Sequence, residues 1–157
     1  PLAIAIIGGM PEQFAPLIDL YQRAARHAGH DQSQLSFSIN SHGYIADETQ
    51  QAIDESFPSF ELLMNKIGRE RGWSGMTKEQ FIGSTSLRGA NFIGSPDDII
   101  EKILYQHEIF GHKRLLLQLS VGTMPHDKVM HAIELLGTKV ASVVRQEIAR
   151  RTAQNPG

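Results

Sequence analysis

Two hydrophobic rhythms alternate along this chain, and the points where one replaces the other divide it into strands and helices. Leu2 to Ile7 is a continuous apolar run ended by Gly8-Gly9, the pattern of a short strand buried on both faces. Pro11 then suits a helix first turn, and Phe14, Leu17, Ile18 and Tyr21 recur at helical spacing until Gly29 stops the run. Pro16 falls inside this pattern and predicts a kink or a delayed helix start. From Leu35 the period becomes two: Leu35, Phe37 and Ile39 alternate with Ser36, Ser38 and Asn40. A Ser41-His-Gly43 turn is expected next, with Tyr44-Ile-Ala as a possible extension of the strand.

Asp47 is placed to cap a helix reaching through Met64 to Arg71, with a break or bend expected at Pro58. Gly72 to Gly75 reads as a loop, and Thr77-Lys-Glu-Gln80 as the capping box of a short helix. The polar, glycine-rich stretch Gly83 to Gly89 is the best candidate for a mobile loop. Ser95-Pro-Asp-Asp98 is the most strongly specified helix start in the chain: a cap hydroxyl, proline in the first turn, then two carboxylates near the helix dipole. Ile99, Ile100, Ile103, Leu104 and His107 form its apolar face, Gly111 closes it, and Leu115 to Leu119 is a third strand. Met124-Pro125 leads into a last long helix, and Thr152 to Gly157 reads as a frayed tail behind a domain of residues 1–151.

The order is therefore strand, helix, strand, long helical insertion, helix, strand, helix. Strands separated by helices imply parallel pairing through right-handed crossovers.

Composition narrows the function. A chain of 157 residues with 41% hydrophobic and 20% charged positions is ordinary globular material. Its net charge of −2, with both signs interspersed, gives no electrostatic footprint for nucleic acid. No apolar run approaches the roughly 18 residues of a membrane span, and the start has no basic signal-peptide region. Zero cysteines exclude disulfides and thiolate chemistry and fit a cytoplasmic setting. A chain opening directly on an apolar strand suggests that something upstream has been removed.

In parallel α/β folds, chemistry gathers at the strand C-terminal ends. Three places qualify: Gly8-Gly9-Met10, Ser41-His42-Gly43 and Ser120-Val-Gly-Thr123. Gly8 and Gly9 let a backbone approach a ligand closely, or simply make a tight turn. His42, at a strand end, is the candidate acid, base or hydrogen-bond donor; the alternative is a histidine that fixes a turn. Arg88, before Gly89, could clamp an anion or lie solvated. His126 and His131 are five apart and point to different faces of a helix, and no three-ligand metal set is evident. His27, His30, His107 and His112 read as surface residues at helix ends, and Arg69 to Arg71 and Arg145 to Arg151 as solvated helix faces. Trp73 reads first as a packing plug, and second as an aromatic pocket wall. Phosphate-loop, nucleophile-elbow and dinucleotide motifs are absent.

Several stretches taken in order resemble the bacterial luciferase-like, flavin-dependent monooxygenases: Ile6-Ile-Gly-Gly9, Phe14 to Tyr21 with Ala28 to Asp31, Asn40 to Asp47, Asn65 to Trp73, Gly94 to Asp98, and Leu115 to Leu119 with Pro125-His126. The resemblance runs from Leu2 to about Arg151. It implies a (β/α)₈ barrel that uses reduced FMN with O₂, or a deazaflavin for hydride transfer, on a small organic substrate. Such a barrel typically needs about 250 residues, so the chain looks like its C-terminal portion, with an insertion before the last strand. On this resemblance Gly8, Gly9, Ser41, His42 and Gly43 line the barrel mouth, with His42 and Ser41 as donors. Arg88 lies near a flavin phosphate or anionic substrate. The expected reading is a fragment of a flavin-dependent monooxygenase or oxidoreductase. The alternatives are a deazaflavin-dependent enzyme on the same scaffold and an inactive half-barrel acting as an interaction module. Open strand edges predict homo-oligomers or association through those edges.

Overall fold

The computed structural model describes residues 2–154, and its parallel sheet is organised around one long central strand. The strands are β1 (Leu2–Ala5), β2 (Phe37–Ile45), β3 (Phe92–Gly94) and β4 (Arg114–Gln118). The helices are α1 (Ala15–His27), α2 (Thr49–Arg71), α3 (Lys78–Thr85), α4 (Pro96–Phe110), α5 (His126–Leu135) and α6 (Ala141–Gln154). β1 pairs with β2 from Leu2↔Phe37 to Ala5↔Asn40, and β4 pairs with it from Ser38↔Arg114 to His42↔Gln118. Both neighbours use β2 residues 38–40, so they lie on opposite edges of β2. The outer edges of β1 and β4 have no strand beside them among the described residues. This is an α/β fold with helical crossovers, a portion of a (β/α)₈ barrel, with α2 and α3 inserted before β4.

Three local readings change. Ser41, His42 and Gly43 are not a turn but the middle of β2, which continues because Gly43–Ile45 finds a partner in β3. Asp47 does not cap α2; Glu48 occupies that place, and Asp47 instead meets His131 Nε2 at 3.0 Å. Pro58 does not break α2, which buries Ala52, Ile53, Ser56, Ser59 and Phe60 along one side. Burying Phe60 and Ile53 alone stabilises by about 1.5–3 kcal/mol each, enough to offset the roughly 3 kcal/mol cost of an internal proline.

The helix starts follow the sequence closely. Thr77 forms the expected capping box with Gln80, and Ser95, expected as the cap of α4, forms a second box with Asp98. Pro16 delays α1 as foreseen: Pro11–Phe14 is a 3₁₀ turn, and the α-helix begins at Ala15. A π-turn at Leu136–Val140 interrupts the last helix, which runs past Arg151 to Gln154; residues 155–157 of the expected tail lie outside the described residues. No described helix is long and apolar enough to cross a membrane.

The core lies on the helix side of the sheet. Ile4, Ile6, Phe37 and Ile39 point into it with Ile18 and Phe110, while Phe60, Phe81, Phe92, Ile99 and Leu119 fill the other end. β1 was expected to be buried on both faces, yet Ala3, Ala5 and Ile7 are exposed. Strand alternation explains this: Ala3, Ser38 and Arg114 form one row across the sheet, and Ala5, Asn40 and Leu116 the next. These rows form the face of the sheet turned away from that core, where Ala3, Asn40, Arg114 and Leu116 are exposed. Ile7 is 55% and Leu116 45% exposed as a result.

Candidate functional site

A cavity of about 760 Å³ lies where this inner face reaches the C-terminal ends of the strands. Ile7 and Gly8 from the end of β1, His42 from β2 and Gln118 from β4 form one wall. The other wall belongs to the insertion: Leu63, Met64, Ile67 and Arg71 of α2, then Trp73 to Met76. The volume falls within the usual range for small-molecule sites, and the location is the customary one for parallel α/β enzymes.

The insertion wall is held by close backbone approaches. Trp73 N–H donates to the Gly68 carbonyl at 3.1 Å, and a Cβ at Gly68 would lie 2.5 Å from the indole. Asn65 Oδ1 accepts from Met76 N–H at 3.2 Å and fills the space a side chain at Gly75 would need. Trp73 is both of the things its sequence suggested: one part of the ring packs on α2, while the residue remains 50% exposed at the cavity rim. The Arg71 guanidinium stands 5.8 Å from its ring centroid.

His42 is the buried polar group of the cavity. It is 8% exposed, meets the Phe60 ring edge-on at 5.3 Å, and its Nδ1 has no hydrogen-bond partner. Burial holds the imidazole below its ordinary value, so it is neutral at pH 7 and offers one donor and one acceptor. The cavity lining contains no carboxylate, amine or thiol, and its charged side chain is Arg71. Such a wall can bind, orient and exclude water. Its ionisable side chains are His42 and Arg71, and the neutral imidazole can give or take a proton.

The sequence-derived candidates separate into groups. Gly8 and His42 meet in the cavity. Gly9, in the left-handed region at φ 75°, shapes the turn after β1, where Gln13 Oε1 accepts from Met10 N–H at 3.2 Å. Ser41 and Gly43 point the other way from His42, as strand alternation requires. Ser41 is fully buried, and Gly43 faces the Phe92 carbonyl and Leu117 and Leu119. They support the sheet rather than line the cavity.

Arg88 is on neither wall. Its Nε donates to Glu12 Oε1 at 2.7 Å, and the Tyr105 hydroxyl donates to the same oxygen. The Tyr105 hydroxyl first, and Arg88 with it, hold the Glu12 carboxyl below its usual range. The triad ties the loop after β1 to α4 and the segment before β3. Nor is Gly83 to Gly89 a free loop: α3 extends through Thr85, and the Thr85 and Ser86 carbonyls accept from buried Lys102 at 3.3 and 2.6 Å. His112, expected at the surface, is buried against His107, and burial pushes it down to about 4. Among the described residues no three potential metal ligands come together.

No family model matches the chain, and no curated protein matches it. Solved structures do share its fold. The monooxygenase RslO1 from Streptomyces bottropensis aligns at TM-score 0.66 and 20% identity over 87% of this chain and 40% of its own. The coenzyme F420-dependent tetrahydromethanopterin reductase from Methanopyrus kandleri gives 0.58 and 17%, over 90% and 45%. The oxygenating constituent of 3,6-diketocamphane monooxygenase from Pseudomonas putida, solved with FMN, gives 0.57 and 22%, over 80% and 38%. The chain thus spans less than half the length of each. At these identities the likeness is one of fold, and it is the fold that the luciferase-like resemblance implied.

Proposed function

We propose that this chain supplies part of the active site of a flavin-dependent monooxygenase or oxidoreductase, completed by further βα units beside β1 and β4. The observation that carries the reading is the cavity itself: largely apolar, level with the strand C-terminal ends, and holding one buried polar group, His42. FMN is the favoured cofactor, with a deazaflavin as the alternative; both kinds occur among enzymes of this fold. Ile7, Gly8, His42 and Gln118 fit the face of a flat heterocycle, and the unpartnered Nδ1 of His42 is free to accept from it or from a substrate. When bound, the flavin supplies the redox chemistry. The residues on α2 and after it close the opposite side and keep water out.

Because one part of the cavity wall belongs to strands beyond this chain, the isolated chain is expected to bind reduced FMN weakly or not at all. Anaerobic fluorescence titration checks this, and tight stoichiometric binding would overturn the reading of an incomplete site. Arg88 lies off both cavity walls and pairs with Glu12, so its proposed contact with an anion is tested by substitution. In the intact enzyme, Arg88→Ala is expected to weaken flavin or anionic-substrate binding by about tenfold if the guanidinium reaches an anion, the scale of one charge-assisted hydrogen bond. Unchanged affinities would leave Arg88 with its Glu12 pairing alone.

A further inference from the structure

We propose that the insertion side of the cavity selects a planar aromatic acid, with Trp73 as the stacking surface and Arg71 as the partner of the acidic group. This rests on the reading of the cavity as an active site and adds the class of substrate it takes. Trp73 is anchored along one edge: its N–H donates to the Gly68 carbonyl, and its Cδ1–Nε1 edge lies where any side chain at Gly68 would collide. Half of the residue stays exposed at the cavity rim, so part of the ring is open to a ligand there.

Arg71 lies over one face of the indole, its guanidinium carbon 5.8 Å from the ring centroid, which leaves the opposite face as the stacking surface. None of the ion pairs among the described residues involves Arg71. No carboxylate lines the cavity to compete for it. The remaining surface on this side is Leu63, Met64, Ile67 and Met76, apolar and, in the methionines, adaptable to ring edges. An apolar slot with one exposed indole and one unneutralised guanidinium matches a flat ring that carries a carboxylate or an acidic phenol. A neutral chain satisfies the slot but wastes the cation. An aliphatic acid satisfies the cation but not the indole.

The test is calorimetric titration of the chain with 2-naphthoate, 2-naphthalenemethanol and decanoate. 2-Naphthoate is expected to bind about tenfold more tightly than either of the others. Arg71→Gln should erase its advantage over the alcohol, and Trp73→Leu its advantage over decanoate; because Trp73 also packs on Gly68, far-UV circular dichroism of both variants checks that each stays folded. Equal affinities for the three ligands, no binding, or a preference that survives both substitutions would overturn the proposal. A parallel FMN titration keeps the two readings apart. If naphthoate shows this selectivity while the completed enzyme fails to bind flavin, the flavin reading falls and the aromatic-acid site stands.

Discussion

Replacing Lys102 by methionine is expected to destabilise the fold by about 1–3 kcal/mol, although the residue lies outside the candidate site. Lys102 is 2% exposed on the inner side of α4. Its ammonium donates to the carbonyls of Thr85 at 3.3 Å, Ser86 at 2.6 Å and Asn91 at 2.6 Å, and lies 5.4 Å from the Phe92 ring centroid. Methionine keeps the apolar stem but leaves the acceptors behind. Thr85 and Ser86 can turn to water; the Asn91 carbonyl, in a residue that is itself buried, cannot. Urea unfolding of the two proteins measures the loss.

The same residue gives that difference a pH dependence. Burial pushes Lys102 down to about 7, with Asp98 acting in the opposite direction. An unfolded lysine titrates near 10.4, so between these values the unfolded chain binds the extra proton. This group's contribution to stability therefore rises with pH across that window, by at most about 1.4 kcal/mol per unit, and is lost as pH falls to 7. The methionine variant lacks this slope, so the gap between the two proteins should widen from neutral to alkaline pH. Parallel profiles would show that the amine is not buried as described.

Gly122→Ala is the second large effect. Gly122 sits in the turn between β4 and α5 at φ 66°, where an L side chain is disfavoured by roughly 1–2 kcal/mol. A Cβ there would also run into the Ser59 carbonyl of α2. The same approach places Ser59 Oγ 3.3 Å from Thr123 Oγ1. Strain and collision together should cost about 2–4 kcal/mol. Gly72→Ala is the control: it shares the positive φ of 75° at the end of α2 but opens on empty space, so about 1 kcal/mol is expected. Equal losses at the two sites in thermal unfolding would mean that α2 is not seated on this turn.

Much of this architecture is legible in the residues. The period-two run at Leu35 to Ile39, the apolar run at Leu115 to Leu119, the capping box at Thr77 and the cap at Ser95 each mark an element that forms. β3 escaped notice because three residues show no period, and its absence turned the middle of β2 into an apparent loop. Lys102 and Gln106 were missed although they lie in the buried stripe with Ile99, Ile103 and Phe110. A polar residue at helical spacing inside an apolar stripe is the signal that would have found them. For the site, the strand-end rule led to Gly8, which follows β1; His42 reaches the same cavity from the middle of β2, level with the end of β4 at Gln118. The α2 wall was not legible, because which side of an insertion turns inward depends on packing far away in sequence, such as Trp73 on Gly68 and Asn65 on Gly75. Arg88 shows the same limit: its partner Glu12 is brought to it by the fold alone.

At the centre of these results is a parallel sheet with one uncovered face: apolar residues such as Ile7 and Leu116 are exposed on it, and among the described residues no strand pairs with the outer edges of β1 and β4. Unpaired edges and exposed apolar rows favour pairing with another polypeptide. Sedimentation velocity of the purified 157-residue chain over a range of concentrations tests this most directly. Concentration-dependent association is the expected result, and a clean monomer throughout the range would contradict it.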